Sequence, residues 1–253
     1  MRRALLVCTL GCLATAAPVL AQPSGVALRW NHCFGEGTGV FNRSFACDTN
    51  SGVETLVGSF VLALDMASVS GSEITIDFNT APPPHLDPFP PPGPPVPEWW
   101  RLRQAGTCRQ TAMTASFVAD PGNTVCQDWG AGQQVGGIGA YNIEGPLGQG
   151  RARLLMAVAV PQTALANLSG GTEYALVTVQ VSHAKTVGTG ACAGCGAPMF
   201  ITLSRVNVVT PTSGENRLLS GPLDQFNADR VTWNAGVTAT RATSWATLKS
   251  LYR

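Results

Sequence analysis

The chain has 253 residues with 16 basic and 15 acidic side chains, and only 12% of its residues are charged, about half the share usual in a soluble domain. So even a balance provides no electrostatic footprint for nucleic acid or anionic lipid, and those partner classes are excluded on composition. With 45% hydrophobic residues and little net charge, the composition is the opposite of a disordered chain, so the sequence is expected to fold.

At the N-terminus, Arg2 and Arg3 precede an apolar run over 4–20 that closes on Val19-Leu20-Ala21. This is the three-part layout of a secretory signal peptide, with cleavage expected after Ala21. Gly11, Thr15 and Pro18 interrupt the run, which makes it a poor membrane span, and no span is expected in the mature chain. Cys12 behind Gly11 raises a lipidated leader as the competing reading, but Thr9-Leu10 fits that pattern badly. The expectation is export to the periplasm, the cell surface or the medium.

Removing 1–21 leaves residues 22–253, with 14 basic against 15 acidic groups and six cysteines: Cys33, Cys47, Cys108, Cys126, Cys192 and Cys195. An even number in an exported chain reads as a disulfide framework. Proximity along the chain favours the pairs 33–47, 108–126 and 192–195, each bracketing a glycine-rich or polar loop. The length suits one β-domain, since sandwiches and barrels commonly reach about 200–250 residues as a single unit.

Alternation of period two predicts strands. Ile74, Ile76 and Phe78 face one way while Glu73, Thr75, Asp77 and Asn79 face the other, which makes 72–80 a strand with one wet face. Phe60, Leu62, Leu64 and Met66 suggest a more deeply buried strand just upstream. Residues 151–160, 173–183 and 199–209 read as further strands, rich in the side chains that suit a pleated surface. Turn signals lie at 48–52, 120–123, 145–148 and 169–171. Short strands without intervening helices predict an all-β fold, an antiparallel, jelly-roll-like β-sandwich. Only 243–252, where Trp245, Leu248, Leu251 and Tyr252 recur at helical spacing, reads as a short C-terminal helix.

Ten of the sixteen residues over 82–97 are proline. Such a segment cannot supply ladder donors and is expected to be a stiff polyproline loop inserted into the domain. It carries His85 and Phe89 and is followed by Trp99 and Trp100. Neighbours on a strand point to opposite faces, so at most one of the two tryptophans should enter the core. Trp99, Trp100, Phe89 and His85 are therefore the candidate ligand-binding residues, suited to a sugar ring or an extended peptide.

Catalytic signals are sparse. Cys192-Ala193-Gly194-Cys195 has redox spacing, but glycines surround it and no helix start follows, so a structural disulfide is the better reading. The histidines are His32, His85 and His183, and a hydrolase would need His85 or His183 beside an acid or hydroxyl. Asp65 and Asp77 sit on predicted strands and offer a carboxylate pair of glycosidase type. Asp48-Thr49-Asn50-Ser51-Gly52 opens like a calcium loop, but its glycine comes one position early and the closing glutamate is missing. No metal or cofactor is expected.

Segments 192–209 and 243–253, with the Glu98-Trp99-Trp100-Arg101-Leu102 block, resemble parts of exported bacterial proteins that carry no assigned activity. The strand pattern is also loosely similar to that of cohesin and carbohydrate-binding β-sandwiches. The resemblance implies a sandwich fold, says little about function and carries over no catalytic residue. The expectation is a secreted, non-catalytic binding or surface-structural module recognising a glycan or an extracellular protein, with a secreted hydrolase as the alternative. If copies of the chain associate, exposed edge strands are the expected contacts.

Overall fold

The computed structural model describes residues 23–37, 39–82, 93–119, 125–212, 214–224 and 227–235. The expected leader, the expected C-terminal helix, and His85 and Phe89 lie outside these residues. Strands run in chain order as β1 (Gly25–Trp30), β2 (Asn42–Arg43), β3 (Val53–Val61), β4 (Met66–Val69), β5 (Gly71–Asn79), β6 (Met113–Ser116) and β7 (Gln127–Asp128). They continue as β8 (Val135–Ile143), β9 (Arg151–Ala159), β10 (Ala166–Leu168), β11 (Glu173–Ser182), β12 (Met199–Val209), β13 (Arg217–Leu219) and β14 (Arg230–Trp233).

Two sheets form a β-sandwich, as the alternation predicts. One sheet has the order β1-β3-β11-β6, with β7 added to β11; the other has the order β2-β14-β12-β5-β9-β8, with β13 added to β12. β4 and β10 form a separate short pair. All pairings are antiparallel except the two-residue additions β7 and β2.

The strand over 72–80 appears as β5, with Ile74, Ile76 and Phe78 buried and Glu73 exposed. Across it lie Met156, Leu154 and Ala152 of β9, and Val206, Leu203 and Ile201 of β12. The inward set of β12 changes parity between Leu203 and Val206 because a bulge at Ser204 inserts one residue. The strand predicted through Phe60, Leu62, Leu64 and Met66 is corrected. β3 ends at Val61, the chain turns, and Leu64 is 75% exposed before β4 begins at Met66.

The second correction concerns the tryptophans. Glu98–Trp100 is a 3-10 turn rather than a strand start, so the alternating parity does not apply, and both Trp99 and Trp100 are fully buried. Pro97 starts the turn in extended conformation, and its carbonyl accepts from the Trp100 amide at 2.9 Å. The Trp99 amide donates to the Ala193 carbonyl at 2.8 Å, and the Glu98 carboxylate accepts from the Ala193 amide.

The two rings enter a cluster around Trp233, whose centroid lies 5.2 Å from Trp99, 5.6 Å from Trp100, 5.6 Å from Phe45 and 6.0 Å from Trp30. Offset and edge-to-face rings in this range add about 0.5–1.5 kcal/mol per pair beyond area burial. Arg109 is buried with its guanidinium 3.3 Å from the Trp99 ring centroid. It donates to the carbonyls of Trp99 and Ser182, and desolvation pushes it down to about 9, so it stays charged at neutral pH.

The disulfide pairing is the third correction. The bonds are Cys33–Cys126, Cys47–Cys195 and Cys108–Cys192, none of them between nearest neighbours. Cys192 and Cys195 sit on one turn but tie it to two different loops. That turn faces the tryptophan cluster, since the Trp233 indole donates to the Cys195 carbonyl at 2.8 Å. Spans of 84 to 148 residues place each bond near about 4.5–5 kcal/mol in the chain-entropy account, against about 3 for the short loops expected from proximity.

Two outcomes follow. Proteolysis of the oxidised protein, read by mass spectrometry, will recover peptides joined through 33–126, 47–195 and 108–192; a 33–47 peptide would contradict the fold. Trp100→Ala will cost about 3–5 kcal/mol, lowering the calorimetric melting temperature by on the order of 10 °C.

Candidate functional site

Among the candidate ligand-binding residues, Trp99 and Trp100 present no face to solvent, and His85 and Phe89 lie outside the described residues. The remaining candidates are each occupied. The His32 Nδ1 lies 2.7 Å from the Glu36 carboxylate one turn away. Asp65 is exposed in the turn before β4 rather than on a strand, and accepts from the Gly170 amide at 2.8 Å. Asp77 holds Arg153 through two bonds of 2.6 and 3.1 Å on the outer face of β5 and β9. In the 48–52 loop, the Asn50 side-chain oxygen accepts from the amides of Thr186 and Val187, which docks the loop on the chain after β11. Among the described residues no three His, Cys, Asp or Glu side chains gather as a metal site.

His183 does meet an acid. Its Nε2 lies 3.0 Å from Glu54 Oε1, its Nδ1 lies 2.7 Å from the Ser51 carbonyl oxygen, and Phe45 stacks on the ring at 3.8 Å. Glu54 is 2% exposed and also takes an ion pair with Arg43. A general base needs one ring nitrogen free to receive a proton from a nucleophile. Here both nitrogens are engaged by acceptors and the ring is buried, so the cluster anchors the β2 and β3 ends and does not form a reaction centre.

The open surface lies elsewhere. β8 is the edge of the larger sheet, nine residues long, and its sequence Val-Gly-Gly-Ile-Gly-Ala-Tyr-Asn-Ile holds no charge and no proline. Other edges are shielded or short. Residues 221–224 and 227–228 cover β1 through bonds such as the Leu28 amide to the Ala228 carbonyl, 2.7 Å, while β6, β2 and β13 span two to four residues. Among the described residues β8 has no backbone partner on the side away from β9.

Outward-facing positions beside this edge include the small residues Gly137 and Ala140 on β8 and Ala157 and Ala159 on β9, with Leu155 36% exposed and Val135, at the start of β8, 76% exposed. Glu73, Thr75, Arg205, Gly137, Gly139, Leu155 and Ala157 line an open depression of about 590 Å³. Gly137 has no positive φ, and a Cβ there would meet nothing within 4 Å. Neither conformation nor internal crowding requires glycine at this point, and the position is open to close approach from outside the chain. Arg205 is exposed at the rim, and Glu73 beside it bonds Asn207 at 3.1 Å.

No family model and no curated protein matches the chain. Among solved structures, the chain is loosely similar to a cohesin module from a Clostridium perfringens family 33 glycoside hydrolase: 10% identity, 84% of this chain and 98% of that one, TM-score 0.34. A type II cohesin domain from the cellulosome of Acetivibrio cellulolyticus is similar at 10% identity, covering 84% and 95%, with TM-score 0.31. Among the described residues no helix is long and apolar enough to cross a membrane.

Glu54→Gln leaves Arg43 and His183 without their carboxylate. It will cost about 2–3 kcal/mol in urea unfolding, the loss expected when a buried charged partner is removed.

Proposed function

We propose that the chain is an exported, non-catalytic module, released from its leader near Ala21, that binds a protein partner on the outer face of β12, β5, β9 and β8. The observation that carries this reading is the bare strip around Gly137: a long uncharged edge beside a face of glycine and alanine, with charge confined to its rim. A partner backbone or apolar side chain lies flat on such a surface, and Glu73 and Arg205 supply orientation at its border.

A glycan is the poorer occupant. Sugar faces stack on exposed aromatic rings, and every described tryptophan and tyrosine is buried. Phe41, the exposed aromatic ring among the described residues, lies under the Arg29 guanidinium and away from this strip. Three disulfides suit an oxidising compartment, in keeping with export.

Photo-crosslinking in the producing cell tests the reading. With p-benzoylphenylalanine at position 137, which has room for it, a discrete protein adduct will form; the same probe at Gln180, exposed on the opposite sheet, will give none. Adducts from both positions, from neither, or with polysaccharide alone would overturn it.

A further inference from the structure

The strip on the outer face of the larger sheet is complementary to itself, and we infer that its occupant is a second copy of this chain. The inference rests on the docking-face reading above and narrows it to one partner.

Knob and hole lie on the same strip. β9 presents Leu155 outward, and two residues along the same strand Ala157 stands beside Gly137, where the depression is open. A two-fold axis running across the strands, between the row of Glu73 and Ala157 and the row of Thr75 and Leu155, lays the strip on itself. Leu155 then drops over the partner's Ala157, and the partner's Leu155 over Ala157. Gly137 permits the approach because no side chain stands above it.

Charge is matched by the same operation. Arg205 pairs in register with Thr75, and Asn207 with Glu73. After the two-fold rotation Arg205 stands over the partner's Asn207, one strand spacing of about 4.8 Å from the partner's Glu73. Arg205 makes no ion pair within its own chain among the described residues, so association supplies one. The remaining charges, Asp77 and Arg153 at the end of the overlap, neutralise each other. The strip therefore brings no unpaired like charges together.

The area is sufficient for a weak dimer. With the axis between the 73 and 75 rows, four strands at about 4.8 Å spacing and seven overlapping residues of each strand at about 3.3 Å give a face of about 19 by 23 Å. Two copies then bury on the order of 900 Å², the size of a weak, transient contact and not of a permanent one.

Sedimentation velocity on the purified oxidised protein, from micromolar to about 200 µM, tests this. The expected result is a concentration-dependent monomer–dimer equilibrium. Ala157→Lys will abolish it with an unchanged melting profile. Arg205→Glu alone will weaken it at least tenfold, and the double variant Glu73→Arg with Arg205→Glu will restore it. A monomer at every concentration, or a dimer indifferent to Ala157→Lys and to the charge swap, overturns the inference. If position 137 crosslinks to a different protein while the purified chain stays monomeric, the docking-face reading survives and self-association does not.

Discussion

Trp233 is the point through which the two sheets and the long loops are joined. Its ring contacts Trp30 of the smaller sheet, Trp99 and Trp100 of the turn after the proline-rich segment, and Phe45 of the β2–β3 connection. Its indole donor is fixed by the Cys195 carbonyl, and Cys195 is bonded to Cys47 two residues from Phe45. The turn bearing Cys192 and Cys195 thus acts as a clip over the aromatic cluster, holding the 47 loop on one side and the 108 loop on the other. Arg109, one residue from Cys108, closes the far side by stacking on Trp99. Without the clip Phe45 and the Trp99–Trp100 turn would belong to separate loops, each with its own ordering entropy.

The same clip explains why the chemistry that short motifs suggest does not assemble. Cys-x-x-Cys spacing serves redox exchange when both sulfurs face each other at a helix start; here each sulfur is committed to a distant loop. His183 lies two residues before Lys185, whose carbonyl accepts from the Cys192 amide, and its ring is consumed in fixing Glu54 and Ser51. Groups that could react are engaged in holding loops.

How much of this was legible in the sequence differs between strand and loop. β5, β9, β11 and β12 could be read because alternation is a local property of a half-buried strand, and Ile74, Ile76 and Phe78 report the sheet directly. Bulges at Ser204 and Leu176 are not visible in that pattern, since they only shift its phase. The pairing of cysteines is not legible there, because proximity along the chain says nothing about which loops the sandwich topology brings to one end. Trp99 and Trp100 escape the alternation for a related reason: a 3-10 turn after Pro97 sends consecutive side chains into the same core, which a strand cannot do. β8 left almost no signal, because three glycines in nine residues lower strand propensity while the hydrogen bonds to β9 supply what propensity lacks.

That β8 forms at all shows where the stability of the chain is placed. Each interior glycine costs roughly 0.5–1 kcal/mol relative to alanine, and Gly136, Gly137 and Gly139 all fall in one strand. Gly136 has an internal reason, since a Cβ there would meet the Ala157 carbonyl at 2.5 Å, and Gly139 is the bulge residue. Gly137 has neither. Three disulfides and the ring cluster supply an excess that can carry such a strand, but they do not call for it. An uncharged edge without proline or lysine also forgoes the usual guard against unwanted pairing, and the bulge at Gly139 supplies only a partial one. A sequence that accepts both penalties on the same strip, while keeping charge at its rim, is consistent with a surface shaped for close contact and not merely left uncovered.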